Sequence, residues 1–187
     1  MLRLVHYNAD DKTTLLQQIE RVVKVCSGKL DGFQLNMTWP SPKVLDEFFL
    51  LHEYPNGFKI VLQVGQKALD MVENSPKKLA DKALDYRGLI DYILIDPSGG
   101  LGKPFDTEKA RDYLRALRDL GFCGLGVAGG LSPTTLNLVE PLVEEFPYLS
   151  IDAEGRLRTP QPKDALNLEV AKDYVDKAFA IFAKNRN

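Results

Sequence analysis

Polar side chains fall at the ends of short apolar runs in this sequence, where parallel α/β proteins collect their working groups. His6 and Asn8 follow an apolar start, and Gln34, Asn36 and Thr38 alternate with Phe33, Leu35 and Met37. Gln63 lies inside a run of β-branched and leucine residues, Asp96 and Ser98 follow Tyr92-Ile93-Leu94-Ile95, and Asp152 and Glu154 follow Leu149. A carboxyl group at a strand tip is placed for general-acid work, which makes Asp96 the candidate acid. An imidazole can take a proton near neutral pH, which makes His6 the candidate base. Asn8, Gln34, Asn36, Gln63 and Asp152 then read as the lining of a substrate pocket.

Two glycine-rich turns could hold an anion. In Gly129-Gly130-Leu131-Ser132-Pro133 a strand runs into paired glycines and then into an expected helix start. Glycines allow close backbone approach, and free N–H groups at a helix start attract negative charge. In Ser98-Gly99-Gly100-Leu101-Gly102-Lys103, glycine N–H groups stand beside a cation. Its spacing fits neither the P-loop nor the dinucleotide fingerprint. Gly155, after Asp152 and Glu154, is a third candidate contact.

Other chemistries find little support. His6 and His52 have no nearby partner at metal-ligand spacing, so no metal is expected. There is no nucleophile elbow and no Cys–His pairing. No cofactor is expected. Cys26 and Cys123 are too few and too far apart for a disulfide framework and read as small buried thiols.

The 187 residues include 24 Lys plus Arg and 26 Asp plus Glu, a net charge of −2, with 44% apolar and 27% charged residues. That is the make-up of one globular domain, taken as residues 1–187. A near-neutral chain has no electrostatic reason to bind nucleic acid or an anionic membrane. The longest apolar run is too short for a membrane span or a signal peptide, so the expected location is the cytoplasm. A homodimer is compatible with the sequence but not indicated by it.

The elements that must position these residues repeat as strand, turn and helix. Strands are predicted at 2–7, 32–37, 59–64, 92–95, 125–128 and 149–152, with apolar helical spacing between them. Asp106 is an expected cap, and Gly28 an expected stop. Pro76 divides the stretch 66–89 into two helices or a helix and a poor strand. Ser132 and Pro133 should open a helix reaching Phe146. About six strand–helix units imply a parallel sheet. Two architectures compete: a (β/α) TIM-type barrel, abbreviated or irregular, and an open doubly wound sheet with a nucleotide at its switch point.

The run from Tyr92 through Asp96 and Gly99-Gly100-Leu101-Gly102 to Phe105-Asp106 resembles phosphoribosylanthranilate isomerase. Val127-Ala128-Gly129-Gly130-Leu131-Ser132-Pro133 and Ile151-Asp152-Ala153-Glu154-Gly155 follow in the same order as that family's last phosphate loops. Asp31-Gly32-Phe33 through Pro40-Ser41-Pro42 is fainter. The resemblance implies a barrel that isomerises a small phosphorylated sugar-like substrate, with Asp96 as acid. His6 stands near the position of the family's first-strand Cys, and Glu154 replaces serines before the last glycine. A barrel that binds an anion without catalysis is the alternative.

Overall fold

The computed structural model describes residues 2–9, 11–52, 57–97, 105–160 and 162–185. Six strands form one sheet: β1 (Leu4–Tyr7), β2 (Gly32–Asn36), β3 (Lys59–Gly65), β4 (Tyr92–Asp96), β5 (Leu125–Ala128) and β6 (Ser150–Asp152). All are parallel, and the spatial order is the chain order, β1 to β6. A doubly wound sheet reverses its order at a switch point. No reversal occurs here, which removes that alternative.

Period-two alternation divides each strand between two faces. Val5, Tyr7, Phe33, Leu35, Ile60, Leu62, Val64, Ile93, Ile95, Leu125 and Val127 belong to the large hydrophobic core beneath the helices. The opposite face carries a small cluster of Val61, Leu94 and Ala128, with Leu4 and Tyr92 against it. Above that cluster the inward positions become polar.

The sheet is curled, with the small cluster on its concave side. Gln34 on β2 donates a hydrogen bond to Asp152 on β6 at 3.1 Å. Four strand spacings on a flat sheet would separate these strands by about 19 Å, which the two side chains cannot bridge. Glycines relieve the crowding. A Cβ at Gly32 would stand 1.9 Å from the Lys59 carbonyl oxygen, and one at Gly124 would stand 1.9 Å from that of Asp91. The six units match the sequence-based expectation, and the architecture is an α/β half-barrel. Among the described residues β1 and β6 do not pair with each other.

The helices are α1 (Leu15–Cys26), α2 (Pro42–Leu51), α3 (Gln66–Met71), α4 (Pro76–Ala83), α5 (Thr107–Asp119), α6 (Glu140–Glu145) and α7 (Leu168–Lys184). Local chemistry sets their ends. Asp106 caps α5 by accepting from the Lys109 N–H at 3.0 Å, and Asn167 caps α7 through the N–H groups of Glu169 and Val170. Ser27 and Gly28 close α1 with positive φ values. Pro76 follows the cap Ser75, so the uncertain stretch resolves into two helices followed by a 3-10 turn at Leu84–Tyr86.

Two expectations are corrected. Residues 132–146 do not form one helix: a turn leads to a 3-10 segment at Leu136–Leu138 and then the short α6. Pro141 falls inside the expected span, where it has no N–H to give the Asn137 carbonyl, and it stands in the first turn of α6 instead. Before it, the Thr135 hydroxyl accepts the Ser132 N–H at 2.8 Å and donates to the Gly130 carbonyl at 3.0 Å, fixing the turn. The cysteines are also not small buried thiols: Cys26 is half-buried and Cys123 is exposed. No described helix is long and apolar enough to cross a membrane.

Candidate functional site

A cleft of about 1020 Å³ opens at the carboxyl ends of the strands. His6, Asn8, Asn36, Gln63, Asp96, Gly129, Gly130, Asp152 and Gly155 all line it. Gln34 lies just beneath, half-buried, and reaches the lining through its hydrogen bonds. The structure therefore brings together residues from six separate runs. Gly99, Gly100 and Gly102, with Ser98 and Lys103, lie outside the described residues.

The centre of the site is a row of four side chains. Asp152 accepts from Gln34 Nε2 at 3.1 Å, and Gln34 Nε2 also donates to Gln63 Oε1 at 3.0 Å. Gln63 Nε2 then donates to Asp96 Oδ2 at 3.0 Å. Gln63 is only 6% exposed, so its carboxamide depends on these partners. Both aspartates are half-buried, whereas His6 and Asn8 are exposed near the tip of the edge strand β1.

Register fixes the layout. Ala128 stands opposite Asp152, and Val127 opposite Ile95, which puts Asp96, Ala128 and Asp152 level on three adjacent strands. Gly65 stands opposite Asp96 on its other side. Small residues thus flank Asp96 and leave open space between the two carboxyl groups. Among the described residues no three His, Cys, Asp or Glu side chains converge as a metal site.

The glycine turns differ from their expected form. Gly129 and Gly130 line the cleft with φ values of 98° and 67°. The Ser132 N–H beyond them is taken by Thr135, and no α-helix starts there, so the helix-terminus part of the expected anion cradle is absent. Gly155 is exposed and opens a 3-10 turn at Gly155–Leu157.

Cations that sequence reasoning overlooked supply positive charge instead. Lys12, Lys67 and Arg156 line the cleft, from the loop after β1, the first turn of α3 and the loop after β6. Each follows a strand end, which is the signal that could have found them. Lys12 donates to the Thr38 carbonyl. The next residue, Trp39, has a φ of 46° and donates from Nε1 to the Ala68 carbonyl at 3.1 Å. The Tyr86 hydroxyl donates to the Pro40 carbonyl at 2.6 Å. Loop 38–40 is therefore pinned from several sides next to Lys67. Trp39 is half-buried against Tyr86, with ring centroids 5.9 Å apart, and Phe105 is buried in the core.

The fold and site together define an α/β half-barrel with a polar, mixed-charge cleft. The sequence matches no family model and no curated protein. Among solved structures, coproporphyrinogen III oxidase (HemN) from Escherichia coli, described as a radical SAM enzyme, is similar with a TM-score of 0.45 and 10% identity. The alignment covers 98% of this chain and 53% of that one, so this chain spans about half the length of that enzyme. A likeness that distant carries nothing about activity. The expected resemblance to phosphoribosylanthranilate isomerase is corrected: no model of that family, or of any other, matches the sequence.

Proposed function

We propose that this chain binds a small phosphorylated, sugar-like compound in the cleft and isomerises or cleaves it by general acid–base proton transfer. The observation that carries the reading is the hydrogen-bonded row Asp152–Gln34–Gln63–Asp96 lining a cleft rimmed by Lys12, Lys67 and Arg156. Carboxyl groups held on strands suit proton transfer, since their geometry is fixed before a ligand arrives. The cations suit an anionic group at one end of the ligand. Asp96 gives the proton, and the base faces it from the same cleft, where His6 and Asp152 both stand. In the barrel form of this reading, other residues or a further chain close the gap between β1 and β6.

The alternative is a cleft that binds a small anion without turning it over, seated on Lys12, Lys67 and Arg156 and away from the Glu154 carboxylate, which would repel it. One experiment separates the two. Aldose and ketose phosphates are incubated with the protein in deuterated water, and loss of carbon-bound proton signals is followed by NMR. The catalytic reading expects exchange with at least one compound, reduced about 100-fold or more by Asp96→Asn. Binding without exchange supports the alternative. Absence of both binding and exchange across the whole panel overturns the proposal.

A further inference from the structure

The amide row has a fixed sense. A glutamine carboxamide has two N–H donors and one accepting oxygen. Gln34 directs Nε2 toward both Asp152 and Gln63, and Gln63 directs Nε2 toward Asp96. Donors therefore point outward at both ends, each toward a carboxylate. Turning either amide over would set its oxygen against a carboxylate oxygen, so the chemistry of the two ends dictates the orientation. Oδ2 of each aspartate accepts an N–H of the row, so both carboxyls are held in place by it.

We propose that Asp152 is the second proton-transfer group, paired with Asp96, and that Gln34 and Gln63 are positioning residues that couple the two carboxyls. The assignment rests on the function proposed above and specifies how that site works. Asp96 and Asp152 stand level on β4 and β6 with Ala128 between them, so a ligand seated over Ala128 has a carboxyl on either side. His6 is exposed on the edge strand and holds no place in the row.

The ligand class this arrangement fits is an α-hydroxy carbonyl compound carrying a phosphate. Ionised Asp152 takes the proton from the hydroxyl-bearing carbon, and its electron pair forms the carbon–carbon double bond of an enediol. The carbonyl π electrons move to oxygen, which receives the proton of Asp96. In the return step Asp152 delivers its proton to the former carbonyl carbon. Asp96 takes a proton from the neighbouring hydroxyl, whose oxygen becomes the new carbonyl. Both carboxyls end as they began, and the product is an isomer.

Two measurements test this. The first needs no substrate. Side-chain ¹⁵N–¹H₂ resonances of Gln34 and Gln63 are recorded in the wild type, Asp152→Ala and Asp96→Ala. Coupling predicts that Asp152→Ala moves the Gln63 signals and Asp96→Ala moves those of Gln34, although neither pair is in contact. If each variant moves only its direct neighbour, the coupling is overturned. The second uses the phosphosugar found active in the panel. Asp152→Asn should lower kcat about 100-fold or more and remove one limb of the pH–rate profile. Gln63→Leu should lower kcat more than it raises KM and displace that limb, with partial recovery in Gln63→Asn. A limb removed by His6→Gln and kept by Asp152→Asn overturns the assignment. If the whole panel is inert, the proposed function fails, and the amide measurement still decides the coupling.

Discussion

Replacing Gly124 with alanine should unfold much of the margin that keeps this protein folded. The added Cβ would lie 1.9 Å from the Asp91 carbonyl oxygen and 2.9 Å from Tyr92 Cδ1. Ordinary contacts of a Cβ begin at about 3.4 Å, so β4 and the start of β5 must part by about 1.5 Å. The bond from the Ile93 N–H to the Gly124 carbonyl, 2.8 Å long, lies between them. Ile93 is fully buried, so water cannot replace a lost partner. A buried group left unpaired costs about 1–3 kcal/mol, and both donor and acceptor are affected, so a loss of about 4 kcal/mol is expected. That is a large share of a typical stability of about 5–15 kcal/mol. Urea denaturation followed by circular dichroism measures it. Gly65→Ala is the control, because its Cβ would meet no atom within 4 Å and should change stability by less than about 0.5 kcal/mol. A Gly124→Ala loss below about 1 kcal/mol would refute the claim that these strands approach too closely for a side chain.

Three further outcomes are expected. Arg3 holds the Asp31 carboxyl at about 2 through a side-chain hydrogen bond at 2.9 Å, with a backbone N–H adding to it. The folded pKa lies below the usual value of 3.8, so this contribution is complete above about pH 4 and is lost as pH falls toward 2. The stability gap between wild type and Asp31→Asn, read by denaturant titration, should therefore close over that window. Tyr86→Phe leaves the Pro40 carbonyl without its buried donor and should cost about 1–3 kcal/mol in the same assay. Lys67→Met, at an exposed position, should weaken inorganic phosphate binding about 10-fold by NMR titration without altering stability; unchanged binding would remove Lys67 from the anion rim.

The strands were legible because each alternates cleanly. Phe33-Gln34-Leu35-Asn36 assigns its own faces, and the polar inward residues of successive strands meet in one cleft. The caps Asp106 and Asn167 act through short side chains on their own following turns, and such local chemistry is visible in sequence; Asp106 was identified from it. What escaped depended on contacts between distant residues or on one local signal outweighing another. Ser132-Pro133 has the composition of a helix start, but Pro141 interrupts the span it opens, which divides into a turn, a 3-10 segment and the short α6. Lys12, Lys67 and Arg156 are spread over 144 residues of chain, and only the curl of the sheet gathers them. The resemblance to a known isomerase rested on strand-tip aspartates and glycine pairs, which any parallel sheet with tight turns can carry.

Neighbours in space are neighbours in sequence throughout this sheet. Each strand needs only the preceding one as its template, so the polypeptide can zip unit by unit, and closure of long loops contributes little to the barrier. The bond from Gln34 to Asp152 is different, for it joins residues 118 apart. It can form only after every intervening unit has docked. The working centre is thus a late product of folding, and a truncation within the last unit should spare the early strands while abolishing the centre.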